Sequence, residues 1–193
     1  MGKPENAPGT REQILNAAED LFARQGYQAT TIKQVAAKVA IQGPAIYKHF
    51  DGKRALFEEV LERLFGPFLA LVNADTRSGD NLGAIVRQHL ANPNASRIVQ
   101  HATLSGGEDL ALLVQRWYLP FFNDIKTMAA DDTRFSPVTV IAFHAMLLGY
   151  LTLAPLHEAI FDFDPLAEHA LGELLELQTA LAAQLASTAS SGE

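Results

Sequence analysis

The 193-residue chain has no cysteine, which excludes both a disulfide framework and a thiolate metal site and gives no reason to place it in an oxidising compartment. It also lacks an apolar leader. Met1 to Gly9 is short, polar and proline-containing, unlike a signal peptide, so the cytoplasm is the expected location. No stretch alternates as a strand does, and no internal repeat is present. Chemical motifs are equally scarce. Ser105-Gly106-Gly107 lacks the spacing and the lysine of a phosphate-cradling loop. His157-Glu158 is followed at the second histidine position of a zinc-protease motif by Phe161, and His101, His144 and His157 show no ligand spacing. Neither an enzyme nor a cofactor or metal is therefore expected.

What is present is a hydrophobic content of 48%, ample for a buried core, and a charge pattern that divides the chain. The formal net charge is −7. Between Arg24 and Arg54, however, Arg24, Lys33, Lys38, Lys48, Lys53 and Arg54 face only Asp51, so this segment carries about +5 and the remainder about −12. A basic footprint on an acidic body fits nucleic-acid binding confined to one end of the molecule.

That basic segment has an internal plan. Thr31 and Gln34 have the spacing of a capping box for a helix reaching about Val39, with Ile32, Val35, Ala36 and Val39 as its apolar stripe. After a break at Ala40 to Gln42, Pro44 suits the first position of a second short helix whose Ile46 and Phe50 face the core and whose Tyr47, Lys48 and His49 face outward. Two short helices joined by a tight turn make a helix-turn-helix, in which the second helix enters the major groove.

Upstream, Thr10 with Gln13 predicts a helix capped at Thr10 and running to about Gln25, ended by Gly26. Downstream, Leu56, Val60, Leu64 and Phe68 form the core stripe of a helix from Lys53 to about Val72, with Gly66-Pro67 expected to bend it. Helices at about 82–91 and 94–104 follow. An aromatic helix over about 108–130 carries Leu110, Val114, Trp117, Phe121 and Ile125 on one face, and Pro120 is expected to kink it. Ser136-Pro137 opens a helix without a charged residue from Val138 to Leu156. That run is long enough for a membrane span, but its Thr139, His144, Gly149, Thr152 and Pro155 and its lack of nearby basic flanks favour a helix buried between the body and a partner subunit. A last helix is expected to open at Asp164-Pro165 and run to about Leu185, with Leu171, Leu174, Leu177 or Gln178, Leu181 and Leu185 as its stripe. The sum is an all-α chain of about nine helices: a tail over 1–9, a three-helix head over 10–52, a helical body over 53–187 and a tail over 188–193.

The run Ile46-Tyr47-Lys48-His49-Phe50, with Gly52-Lys53 and Leu56-Phe57 after it and Gly26-Tyr27, Thr30-Thr31-Ile32 and Val35-Ala36 before it, resembles the signature of the tetracycline-repressor (TetR) family over about residues 10 to 60. The resemblance implies a cytoplasmic homodimer that binds a near-palindromic operator, most often as a repressor, and is released by a small molecule held in the C-terminal body. Carried over by position, Gln42, Gly43, Pro44, Ala45 and Lys48 are the base-reading candidates, and Thr31, Lys33, Tyr47, His49 and Lys53 the phosphate contacts. Ala40 and Gln42 stand where the family usually has glycine and serine, which strains a left-handed turn position and removes a favoured N-cap. Trp117, Tyr118, Phe121, Phe122, Phe143, His144 and Tyr150 are the candidates for an apolar effector pocket, although aromatic residues at this spacing equally suit a packed core. The last two helices resemble the family's four-helix dimer interface, for which Leu147, Leu151, Leu171, Leu174, Leu181 and Leu185 are the candidates. A small helical enzyme or a ligand-binding module using the aromatic cavity is the alternative function, and a membrane anchor through 138–156 is a third.

Overall fold

A computed structural model describes residues 8–73, 81–120, 122–123 and 137–189. All regular structure among them is helical, arranged as nine helices: α1 Thr10–Ala29, α2 Ile32–Lys38, α3 Gly43–Ile46, α4 Lys53–Asn73, α5 Asn81–Ala91, α6 Asn94–Ser105, α7 Gly107–Leu113 with its continuation, α8 Pro137–Phe161 and α9 Glu168–Ala189. Most of the 1–9 tail, the polar stretch at 75–80, the far end of the expected 108–130 helix, Ser136 and the last four residues lie outside the described residues.

The head is built around side chains from four helices. Ile14, Ala18 and Phe22 of α1, Val35 of α2, Ile46 of α3 and Leu56, Val60 and Leu61 of α4 are all fully buried. Each large aliphatic or aromatic side chain so buried contributes about 1.5–3 kcal/mol. Phe22 meets Phe57 edge to face at 5.0 Å between ring centres. The same core continues without a break into Ala95, Ile98 and Ala102 of α6 and on to Leu113 and Trp117.

Local signals explain where the helices start and stop. The Thr31–Gln34 capping box is formed reciprocally. Thr10, by contrast, is the first helical residue rather than the cap. Gly9 takes the N-cap without a side-chain bond, and Gln13 turns outward to donate from Nε2 to Pro8 O at 2.8 Å. Gly26 breaks α1 with φ +78° and ψ 168°, a region open essentially to glycine alone, and a final turn then carries the chain to Ala29. The buried Thr30 hydroxyl donates back to Gly26 O at 2.8 Å across that kink.

Three expected elements differ. α3 is only four residues long, and Tyr47, Lys48 and His49 follow it in a tighter turn, where His49 N–H returns to Ile46 O at 2.9 Å, three residues back. α9 starts at Glu168 rather than at Pro165, because Asp164 Oδ1 accepts from Leu166 N–H at 2.8 Å and holds an intervening turn. In the aromatic segment the irregularity precedes Pro120. Val114–Tyr118 form a π turn in which Leu119 N–H reaches Val114 O. A proline at 120 has no N–H to return to Arg116 O and its ring needs room there, so widening the preceding turn accommodates it. Gly66 and Pro67 lie inside α4 without ending it.

Candidate nucleic-acid interface and body cavity

The turn between α2 and α3 fixes what the head presents. Ala40 adopts φ +55°, the left-handed conformation that costs a residue with a Cβ about 1–2 kcal/mol. Gln42 occupies the N-cap of α3, but its side chain makes no capping bond and is exposed. Pro44 follows within the first turn, where its missing N–H is harmless. The outer surface is then Gln42, Pro44, Tyr47, Lys48 and His49, all exposed, with Gly43 and Ala45 half-buried beneath them and Ile46 anchoring the turn in the core. Tyr47 is 59% exposed and absent from the core cluster, so packing does not account for its placement.

The charges divide into engaged and available. Arg24 and Lys38 both pair with Asp20, whose carboxyl is held below the ordinary aspartate range chiefly by the hydrogen bond from Lys38. Arg54 pairs with Glu58 at 2.9 Å. Lys53 donates from Nζ to Tyr27 O at 2.9 Å and lies 4.1 Å above the Tyr27 ring, so it caps the last turn of α1 as well as facing the end of the head. The Thr31 hydroxyl is likewise engaged, accepting from Gln34 N–H at 3.2 Å in the capping box. Lys33 and Lys48 form no ion pair among the described residues.

Polar contacts tie the head to the body. Glu19, buried, accepts from Arg63 and, at 2.8 Å each, from the side chains of Asn92 and Asn94. Gln28 donates to both oxygens of the buried Asp109, at 3.1 and 3.2 Å. At the kink, a Cβ on Gly26 would come within 3.3 Å of the His101 ring. The head therefore cannot shift on α6 and α7 without disturbing these bonds.

Within the body, Phe65, Phe68 and Leu69 of α4, His89 of α5, Trp117, Tyr118 and Phe122, and His144 and Leu147 of α8 line a cavity of about 60 Å³. Its wall is almost entirely aromatic. Phe68 lies 4.4 Å from His89, and His144 lies 5.5 Å from Tyr118 and 5.7 Å from Phe122 between ring centres. Burial lowers the His144 pKa, with a smaller push from His89, and raises that of the Tyr118 phenol. Of the sequence candidates, Trp117, Tyr118, Phe122 and His144 come together here, while Phe121 lies outside the described residues. Phe143 sits one residue from His144 and so about 100° around α8, off the lining. Tyr150 donates its hydroxyl to Pro165 O at 2.9 Å and packs α8 onto the turn before α9. Sequence reasoning placed Phe68 in a core stripe and missed Phe65 and Leu69, which join it at i, i+3, i+4 spacing, and His89, which follows no motif.

The interface leucines scatter. Leu147 faces the cavity and Leu174 is buried within the subunit, whereas Leu151, Leu171 and Leu181 are half-buried and the Leu185 side chain lies outside the described residues. The apolar surface that remains open is elsewhere: Val138, Ile141, Leu153, Leu156, Ile160 and Phe161 of α8, with Phe163 in the turn that follows and Leu177 of α9. α8 is long and apolar enough to cross a membrane, by length and composition.

Fold and surface together define a helix-turn-helix head carried on an all-helical body with an internal aromatic cavity. Residues 14–60, the head and the first part of α4, match the model of the bacterial regulatory proteins of the tetR family. It is 34% identical over 82 residues to the HTH-type transcriptional repressor KstR2 of Rhodococcus jostii, an alignment covering 40% of each chain. It is 26% identical over 118 residues to the nucleoid occlusion factor SlmA of Haemophilus ducreyi, covering 56% of this chain and 58% of that one. The chain thus spans 40% and 58% of the length of these two relatives. Solved structures extend the likeness of fold to the body. The fatty acid degradation regulator FadR of Bacillus halodurans superimposes with a TM-score of 0.59 at 19% identity over 89% of this chain and 96% of that one. A tetR-family transcriptional regulator from Streptomyces coelicolor gives 0.56 at 19% identity over the whole of this chain and 85% of that one.

Proposed function

We propose that this protein is a dimeric DNA-binding transcriptional regulator, a repressor that leaves a near-palindromic operator when a small apolar or aromatic effector enters the body cavity. The observation that carries the DNA-binding reading is the surface at the α2–α3 turn. Gln42 is not spent on capping, Lys33 and Lys48 are not spent on ion pairs, and Tyr47 and His49 project beside them from a backbone fixed by the core. In this reading Gln42 and Lys48 reach base edges, Pro44 and Ala45 offer apolar contact to a thymine methyl, and Tyr47, His49, Lys33 and the remaining donors of Lys53 hold phosphates. Thr31 serves chiefly by fixing the start of α2.

A repressing role is supported by the relatives named as repressors. Pairing is supported by the open apolar face of α8, where Leu153, Leu156 and Ile160 lie at i, i+3 and i+7 on one side and Leu177 of α9 supplements them. Such a face suits a second copy better than a membrane, since Tyr150 ties the same helix to the polar turn at Asp164-Pro165. A soluble, cytoplasmic protein with no enzymatic role is the corresponding expectation. The cavity couples to the head through α4, which lines the former with Phe65, Phe68 and Leu69 and grips the latter with Lys53 and Arg63. At about 60 Å³ the cavity is smaller than the ~150 Å³ site that accommodates benzene in an apolar protein core, so an effector must part α4 from α7 to enter.

The test is a titration of labelled DNA from upstream of the protein's own gene at two salt concentrations, with the intact chain and with Tyr47→Ala plus Lys48→Ala. Saturable binding that resists competitor DNA and weakens with salt is expected from the intact chain. The double variant is expected to lose roughly 100-fold, since each lost contact is worth about 1–3 kcal/mol. Equal binding by both proteins would overturn the assignment of this surface.

A further inference from the structure

We infer that the body cavity takes a weak acid, a carboxylate or acidic phenol on a small apolar body, and that the ligand enters together with one proton held by the cavity's histidines. This inference rests on the reading of the cavity as an effector site. Four of its nine lining residues carry a polar atom: His89, Trp117, Tyr118 and His144. Among the described residues no carboxylate lines it, so none of them would neutralise a cationic ligand. Trp117 is 4% exposed and its Nε1–H, a donor with no acceptor capacity, has no partner among the described residues. A buried orphan donor of this kind costs about 1–3 kcal/mol, which a ligand that brings an acceptor oxygen recovers.

The charge of that oxygen is decided by what surrounds it. From α4 the wall presents only Phe65, Phe68 and Leu69, from α5 His89, from the aromatic segment Trp117, Tyr118 and Phe122, and from α8 His144 and Leu147. Outside it, the Arg116 guanidinium lies 5.8 Å from the Trp117 ring centre and pairs with Glu62 at 3.4 Å. The groups able to offset an anion within the wall are therefore the two imidazoles. Burial, with His89 nearby, disfavours the His144 imidazolium in the free protein. An anion bound beside it favours imidazolium, so binding takes up a proton. The sign follows: affinity falls as pH rises between the His144 pKa of the free protein and its raised value in the complex.

The full chain has a single tryptophan, Trp117, and it lines the cavity, so its fluorescence reports occupancy directly. The experiment titrates benzoate, benzamide and benzylamine at pH 6.0, 7.0 and 8.0, and repeats the benzoate titration by calorimetry in two buffers of different ionisation enthalpy. Expected are benzoate binding at least tenfold tighter than benzamide at pH 6.0, no response to benzylamine, and about tenfold weaker benzoate binding per pH unit, the slope of a single linked proton. Calorimetry should register uptake of about one proton, lost in His144→Gln, with His89→Gln tested alongside. Benzamide binding as tightly as benzoate, with no pH dependence, overturns the weak-acid proposal and leaves the effector cavity standing. Proton uptake that survives in both histidine variants overturns their role. No response to any of the three at any pH overturns the proposal and the effector cavity together.

Discussion

The head and the body differ in how completely a single chain satisfies them. Among the described residues, the buried side-chain atoms left without a hydrogen-bond partner belong to Ser96, Trp117 and Gln178, all of them in the body. In the head, buried Glu19 has three side-chain partners and buried Thr30 donates to the kink carbonyl. Exposed large apolar side chains divide the same way: among the described residues all but Tyr47 lie beyond residue 100, and half of the set are on α8. A unit whose buried groups are all matched has its conformation decided by its own sequence. A unit with orphan donors and an open apolar face leaves part of its stability for another molecule to supply, in the proposed reading a ligand against Trp117 and a second copy against α8.

Deleting a central ring should break the contrast from the head's side. Phe22 is fully buried and packs on both Phe57 and Tyr27. Phe22→Ala is expected to cost about 3–5 kcal/mol in urea unfolding, the range for an aromatic side chain removed from a close-packed core. Because the core runs on from Leu61 to Ile98 and Trp117, loss of helicity and loss of Trp117 fluorescence should coincide. A head that melts first, with Trp117 unaffected, would separate the two regions more sharply than their shared core suggests.

From the body's side, Leu153→Glu with Leu156→Glu tests whether the open face of α8 is held for a second copy. Two carboxylates forced into an apolar interface cost about 1–3 kcal/mol each, so association should weaken by about 100-fold or more in sedimentation equilibrium, with the helical content of the chain unchanged. Unchanged association would move the interface elsewhere.

Smaller effects probe the seam. Gly26 combines a glycine-only backbone with a 3.3 Å approach to His101, so Gly26→Ala should destabilise by about 1–3 kcal/mol and weaken the docking of α1 on α6. Gln178 is fully buried with neither amide atom partnered. Gln178→Leu should therefore stabilise by about 1 kcal/mol or more in thermal melts of the intact protein. If the variant is less stable, the amide has a partner in the paired state, and part of the stability left for a second copy to supply is already in use.

Legibility in the sequence follows the same division. Signals that act within one turn of chain were readable. Thr31 and Gln34 form their box at a spacing of three, and Gly26 and Pro44 carry their backbone preferences with them. Misreadings arose where two local devices compete. Thr10-Gln13 and Thr31-Gln34 have the same form, but Gly9 takes the cap and Gln13 turns to Pro8. At Asp164-Pro165 the aspartate's own bond to Leu166 N–H delays the helix to Glu168. The cavity was half legible because its wall is assembled from four separate stretches. Aromatic content pointed to Trp117, Tyr118, Phe122 and His144, but only tertiary packing turns Phe65, Phe68 and His89 toward them and Phe143 away. The outward face of α8 was illegible for a related reason: the helix is apolar on every side, so periodicity does not say that Leu147 faces inward and Leu153 outward.

The smallest expected effect concerns a residue that the family resemblance marked as strained. Ala40 sits at φ +55° in the turn between α2 and α3, exposed, so it has no packing to lose and only its Cβ to object. Ala40→Gly relieves that clash, worth about 1–2 kcal/mol, but also frees the unfolded chain, which returns about 0.4–1 kcal/mol of the gain. The net expectation is a stabilisation of under about 1 kcal/mol, read as a small rise in the midpoint of urea unfolding. DNA affinity separates two roles for the strain. If it is only a tolerated defect, operator binding by Ala40→Gly stays within about twofold of the parent. If the alanine instead restricts how α3 is presented, the glycine variant becomes more stable and yet binds more weakly, because the added freedom at the turn must be removed again each time the helix enters the groove.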